Sequence, residues 1–572
     1  MGSSATGFNP WASKPWYIRR VASAPNSRMN ATLQKIAALK PTPPAPPADE
    51  LEATRALSIL PTADEYAANA RRRTLGFLVG GAALAAAVAG AYTALGLDNI
   101  LLPLVLLITV LTPLLLWNRP RVTLYFVFAA ACLFELSLNG TGSVEPYRDA
   151  LTERVPFFWN VNTIFQIYAH ANIHLVALSL LELFVLLAGV CSTLRAVYTG
   201  TARLQGGALF WPIFAYIAFV LMAWANGVVS GGDFKISLQE VRAQFYFLLA
   251  YLMAVNMVQE RRQVGVLLWI TVLCIGLKGI LYTFRRYVTL AGLPLPDQGV
   301  GSHEEAFFFD AFAVLLIVLT LCGFQPRLRL VMWGLLPFVL TGNLACNRRA
   351  ATAAMVVLIP LLLMAASQAV PQRRRLIGIL SLVLAVGGFG YYSAFKNSDS
   401  LLAQPARAIK SNFQPDARDA SSNAARDGEN ANLMATVKAY PLQGIGYGKR
   451  YLHIYPMVDI SNIYELEDFL PHNQLLWVWE RVGTFGFFTF WMMVSAIIVF
   501  AGQTLRRPEA DAQTKSVAMF TLMVMPMLLL FGLLDLQLSN PRDVLFTGVW
   551  VGVLAVSPAL DPRLKLLEGR AR

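Results

Sequence analysis

A chain of 572 residues that is 56% hydrophobic and only 14% charged, with a mean hydropathy of +0.52, has too few polar side chains to solvate the surface of a water-soluble globule. Its formal charge of +13 would point to nucleic acid in a soluble domain, but most Lys and Arg flank apolar runs, where the basic bias of cytoplasmic loops accounts for them. Nucleic acid is therefore discounted as a partner, and the five cysteines, all in or at the ends of apolar runs, show no disulfide framework or paired metal motif.

In chain order, residues 1–73 are polar, hold the proline cluster PTPPAPPADE and end in Arg71, Arg72 and Arg73. They read as a cytoplasmic, largely disordered tail. The first long apolar run begins near residue 74, so no cleaved signal peptide is expected. About fourteen segments then approach the roughly 20 residues that a helix needs to cross a bilayer. They fall near 74–97, 99–117, 122–139, 172–192, 207–229, 241–258, 264–283, 306–324, 330–346, 351–369, 376–395, 485–503, 517–534 and 544–558. Alternate loops carry the arginines, among them Arg119, Arg195, Arg261, Arg327, Arg373 and Arg506, which predicts both termini in the cytoplasm. The expectation is an all-α, polytopic bundle, with eleven spans over 74–395, one large outward loop over 396–484, three spans over 485–558 and a cytoplasmic tail over 559–572.

The loop 396–484 is the longest connection, and connections of such length are usually functional or disordered. Within it, GENANLMATVKAY predicts a short helix, PLQGIGYGK a glycine turn, and DISNIYELEDFL an acidic, aromatic surface. Basic residues on the outward side run against the positive-inside bias. Arg348 and Arg349, in CNRRAATAA between the ninth and tenth spans, offer planar forks that suit a phosphate or diphosphate, or anchor a lipid headgroup. Arg426, Arg242, Arg285, Arg286, Lys449 and Arg450 are weaker candidates of the same kind.

His472 stands at the mouth of the twelfth span. A histidine there can take a proton from a hydroxyl nucleophile, or simply cap an interfacial helix start with Trp477 and Trp479 as belt residues. His170, His174, His303 and His453 read as structural or interfacial, with no metal-binding spacing. Glu135, Glu182, Lys278 and Asp310 fall within spans, where burial is costly enough that they should face the bundle interior, as structural pairs or a proton path.

The order His472-Asn473, nine residues, Gly483, two residues, Gly486 resembles the signature of the bacterial O-antigen ligase and polymerase superfamily: His, then Asn, Ser or Gln, nine residues, then Gly-x-x-G. NRRAA is similar to that family's Ser-Arg-Gly/Ala turn, and Arg426 precedes a proline-glycine turn as the family's loop arginine does. The resemblance covers roughly 205–500, and it departs at Phe487, where the family often has a small or hydroxyl residue, and in having about two more spans. It implies a GT-C-like inner-membrane glycosyltransferase whose active site faces the periplasm. The donor would be an undecaprenyl-diphosphate-linked glycan, the acceptor a sugar hydroxyl of a growing chain or of lipid A core, and transfer would be inverting, with no metal and no cofactor. His472 would be the general base, while Arg348 or Arg349 and Arg426 would hold the diphosphate, with Arg242 and Asn473 as further substrate contacts. Polymerase and ligase share these motifs, the extended tail and span count favouring the polymerase. A lipid-linked oligosaccharide flippase is the alternative of another class, though no internal repeat of the kind common in transporters is seen.

Overall fold

The computed structural model describes Arg71 and then, from 116 onward, residues 116–117, 119–135, 157–160, 162, 178–199, 204–293, 299–300, 304–398, 400–457, 459 and 466–564. The chain divides into units Met1–Leu75 and Gly76–Arg572, and every element named here belongs to the second. The predicted tail apart from Arg71, the spans at 74–97 and 99–117 apart from the last two residues of the second, His170, His174, His303, half of DISNIYELEDFL and residues 565–572 lie outside the described residues.

The described residues are helical, with one isolated bridge between Asn160 and Ser179. In order the helices are α1 (Arg121–Leu133), α2 (Leu180–Thr199), α3 (Phe210–Val229), α4 (Phe234–Met257), α5 (Arg261–Phe284, continued by a π turn over Arg285–Thr289), α6 (Glu305–Cys322), α7 (Pro326–Cys346), α8 (Arg349–Ala369), α9 (Arg374–Phe395), α10 (Gln404–Ser411), α11 (Ala417–Ala439), α12 (Gln474–Arg506), α13 (Ala512–Gly532) and α14 (Pro541–Leu560). Nine of these are long and apolar enough to cross a membrane: α3, α5 to α9 and α12 to α14. Of the other three predicted spans, α1 is only 13 residues long, α2 is an apolar helix of 20 residues that carries Glu182 and Arg195, and α4 carries Lys235, Glu240 and Arg242, charges that dilute the hydropathy that marks a span.

Several helix starts are set by short polar side chains that accept the orphan amides of the first turn. Asp233, Asp416, Asn473, Asp511 and Asn540 do this for α4, α11, α12, α13 and α14. The centre of the bundle is formed by α6, α13 and α14, whose apolar windows are 78%, 78% and 72% buried, whereas that of α9 is 6% buried and lies at the periphery.

The ionisable residues predicted within spans are all engaged. Glu182 accepts from Tyr246 Oη at 2.7 Å and pairs with Arg242 at 3.2 Å. Asp310 accepts from Asn343 at 2.7 Å. Lys278 pairs with Glu135 at 3.1 Å and with Glu305, which Arg542 also holds together with Glu304 at 3.1 Å. These charges are buried in a place where an unpaired ion would be costly, and the pairing of each cation with two carboxylates offsets that cost.

Candidate active site

The loop before α12 is fixed by a break inside that helix. Gly483 has φ 68° and ψ 179°, a backbone that glycine adopts without strain. The break turns the carbonyls of Glu480 and Arg481 toward the glycine turn, where they accept from Ile445 N at 2.7 Å and Gly446 N at 3.2 Å. Thr484 donates through both its amide, at 2.9 Å, and its hydroxyl, at 2.7 Å, to the carbonyl of Pro441. A Cβ on Gly444 would stand 2.5 Å from the Arg481 carbonyl, so the two glycine motifs fit only each other. Phe487, the departure from the family pattern, stacks on Trp479 across the break with centroids 5.0 Å apart.

Beneath the turn, Arg481 is fully buried and donates to the carbonyls of Gly446 (3.0 Å), Lys449 (2.6 Å) and Phe469 (2.9 Å) while its Nε faces Glu240 at 2.9 Å. Glu240 in turn accepts from the amide of Gly448 and from Trp477 Nε1 at 3.4 Å. This clamp ties the glycine turn to α4 and holds the chain that leads into His472.

The predicted short helix is the 23-residue α11. One of its faces carries Asn423, Arg426, Glu429 and Asn430, the spacing of adjacent turns. Another part of α11 anchors the loop: Asn432 Oδ1 accepts from Ile454 N (2.9 Å) and Tyr455 N (2.7 Å), and Thr436 Oγ1 from Leu452 N (2.8 Å). Glu429 is buried and meets His472 twice. One carboxylate oxygen accepts the His472 amide at 3.1 Å, and the other lies 3.2 Å from Nδ1. The pair orients the ring and assigns its proton to Nδ1, leaving Nε2 as the basic nitrogen. Hydrogen bonding to Glu429 holds the His472 pKa above the ordinary histidine value, against burial and the charge of Arg426, with Asp535 adding to the rise.

Next to His472, Asn473 caps α12 by accepting from Leu476 N at 3.2 Å and donates to Asn430 Oδ1 at 2.9 Å. His472, Arg426, Glu429, Asn430, Asn473 and Leu534 are among the residues lining a cavity of about 280 Å³. The arginine turn reaches the same region. Asn347, at φ 51°, ends α7, and Arg348 and Arg349 open α8. Arg349 pairs with Asp419 of α11 at 3.2 Å. Arg426 is half-buried; burial and the nearby Arg348 and Arg349 disfavour its charge, while Asp535 and Glu429 favour it. Arg348 and Arg349 at the N-terminus of α8, with Arg426 of α11 in their field, form a basic arrangement whose planar donors can pair with an oxyanion.

Three predicted site residues, His472, Asn473 and Arg426, line this cavity, while Arg348 and Arg349 act on Arg426 through their charge and are not among its lining residues. Arg242 lies elsewhere, in its ion pair with Glu182 of α2. Arg450 and His453 share Asp468, at 3.2 Å and 3.1 Å. Glu429, Asp535 and the Arg481–Glu240 clamp were not predicted. Glu429 had a signal, lying one helical turn after Arg426; Asp535, buried in the turn after α13, had none. No family model matches the chain, and no curated protein matches it, so the site is defined by its geometry. Among the described residues no group of three or more metal-ligating side chains is found.

Proposed function

We propose that this chain is a polysaccharide polymerase of the inner membrane, which transfers undecaprenyl-diphosphate-linked glycan repeat units to a sugar hydroxyl at the periplasmic face. One observation carries the reading: a histidine oriented by a buried carboxylate shares a cavity with an arginine that lies in the field of two more. The acceptor hydroxyl gives its proton to His472 Nε2 as its oxygen attacks the anomeric carbon from the side opposite the diphosphate. The bond from that carbon to the diphosphate oxygen breaks with inversion, and the electron pair leaves on the diphosphate. Arg348, Arg349 and Arg426 stabilise the departing charge with donors already in place, so little reorganisation accompanies the transition state. Glu429 stabilises the imidazolium that forms.

A ligase delivering the finished glycan to lipid A core would use the same chemistry, and the assay separates the two. Full-length protein in nanodiscs is given only lipid-linked repeat units, and products are resolved by chain length. A ladder that is absent with His472→Ala is the expected result. Transfer seen only after lipid A core is added would assign the ligase, and no transfer to either acceptor would remove the enzyme reading in favour of a transporter.

A further inference from the structure

Among the apolar helices, α9 is the one the bundle covers least. Ile377 is its single buried residue. Leu382, Val383, Val386 and Phe389 are exposed, and open space stands where side chains on Gly387, Gly388 and Gly390 would be. For a helix that crosses a bilayer, lipid chains cover such a face.

Where α9 ends, the chain folds back through a 3₁₀ turn at Leu401–Ala403 into α10, leaving a notch of about 260 Å³ lined by Tyr392, Lys396, Asn397, Lys410, Phe413 and Gln414. Lys410 Nζ donates to Asn397 Oδ1 at 2.7 Å, and Lys396 Nζ lies 5.8 Å from the centre of the Tyr392 ring. Both lysines are half-buried. Among the described residues their contacts are to an amide and an aromatic ring, not to a carboxylate. Tyr392 is an aromatic of the kind that settles at headgroup depth, and Phe413 beside it is 81% exposed. The notch thus joins two ammonium groups, two amides and two aromatic rings at the end of an uncovered apolar helix.

We propose that this notch binds the phosphate of an anionic lipid, with the lipid's hydrocarbon chain lying along the open face of α9. Two sources share that chemistry: bulk phosphatidylglycerol and a polyprenyl phosphate. The inference rests on the membrane placement of α9 and is independent of the role of His472.

Native mass spectrometry of the full-length protein in detergent tests it, with titrations of phosphatidylglycerol, undecaprenyl phosphate and, as a neutral control, phosphatidylcholine. At least one anionic lipid should bind more tightly than phosphatidylcholine. The pair Lys396→Ala/Lys410→Ala should weaken that binding by about 25-fold, since each basic residue near a headgroup is worth about fivefold, while Lys396→Arg/Lys410→Arg retains it. Repeating the titrations with Arg426→Ala as background separates the notch from the arginine cavity. A loss confined to phosphatidylglycerol assigns bulk lipid, and one confined to undecaprenyl phosphate assigns a polyprenyl carrier. Equal binding of neutral and anionic lipids, or undiminished binding in the alanine pair, would overturn the proposal and leave Lys396 as a helix-end cation only.

Discussion

The loop before α12 contains two histidine–carboxylate pairs of nearly the same length. His453 Nε2 lies 3.1 Å from Asp468, and His472 Nδ1 lies 3.2 Å from Glu429. Their surroundings differ. Asp468 is partly exposed and shared with Arg450, and the His453 ring is stacked on Tyr451 with centroids 4.8 Å apart. Glu429 is buried, binds both the backbone and the ring of one histidine, and leaves that ring lining a cavity beside Arg426. A histidine–carboxylate pair is thus not by itself a catalytic element. What sets the second apart is an acid held out of water and a cavity that the ring shares with the guanidinium of Arg426.

The sharpest way to break this comparison is His472→Ala, which should lower transfer by about 10² to 10⁴, the usual worth of a general base, with insertion and folding unchanged. Arg426→Lys should follow, costing about 10² in transfer, comparable to losing one preorganised oxyanion donor, because a point charge does not replace a planar fork; wild-type rates would remove Arg426 from the site. Arg481→Met leaves Glu240 buried without its partner and should destabilise the fold by about 3 to 5 kcal/mol, read as a lower thermal midpoint in detergent. A midpoint equal to wild type would mean that the clamp does not hold the loop.

Glu429→Gln sharpens the comparison through pH. Because the Glu429 hydrogen bond raises the His472 pKa, the base form is lost as pH falls through a value above the ordinary histidine figure of about 6.5. The acid limb of kcat/KM should therefore lie above that figure and move to lower pH in the variant, a shift that a purely structural role would not cause. For stability the sign is opposite: a histidine raised in the folded state stabilises below its unfolded pKa, and that contribution fades as pH rises through the folded one. His453→Ala has the smallest expected effect, a change in transfer of about twofold or less, the size of an ordinary surface substitution of about 0.5 kcal/mol.

Much of this architecture was legible because apolar run length is a strong signal. The predicted spans at 207–229, 264–283 and 351–369 correspond to α3 (Phe210–Val229), α5 (Arg261–Phe284) and α8 (Arg349–Ala369). The span predicted from 485 matches the part of α12 that follows the Gly483 break, while the helical turns from Gln474 to that break, under the Asn473 cap, fall within the predicted loop. Arg348, Arg349, Arg426 and His472 stand out as candidates from residue type and order alone, and Arg426 and His472 line one cavity. Glu429 required knowing that α11 is a continuous helix, and Asp535 required the tertiary fold, since a lone acid in an apolar turn has no local pattern. The ion pair of Arg242 with Glu182 of α2 is hidden from the sequence for the same reason, since only packing brings the two together.

The most direct measurement compares His472→Ala and His453→Ala in nanodiscs with lipid-linked repeat units, alongside wild type and with thermal midpoints matched. Loss of the product ladder with His472→Ala and its retention with His453→Ala is the result expected. Equal ladders in the two variants would contradict the assignment of His472 as the base.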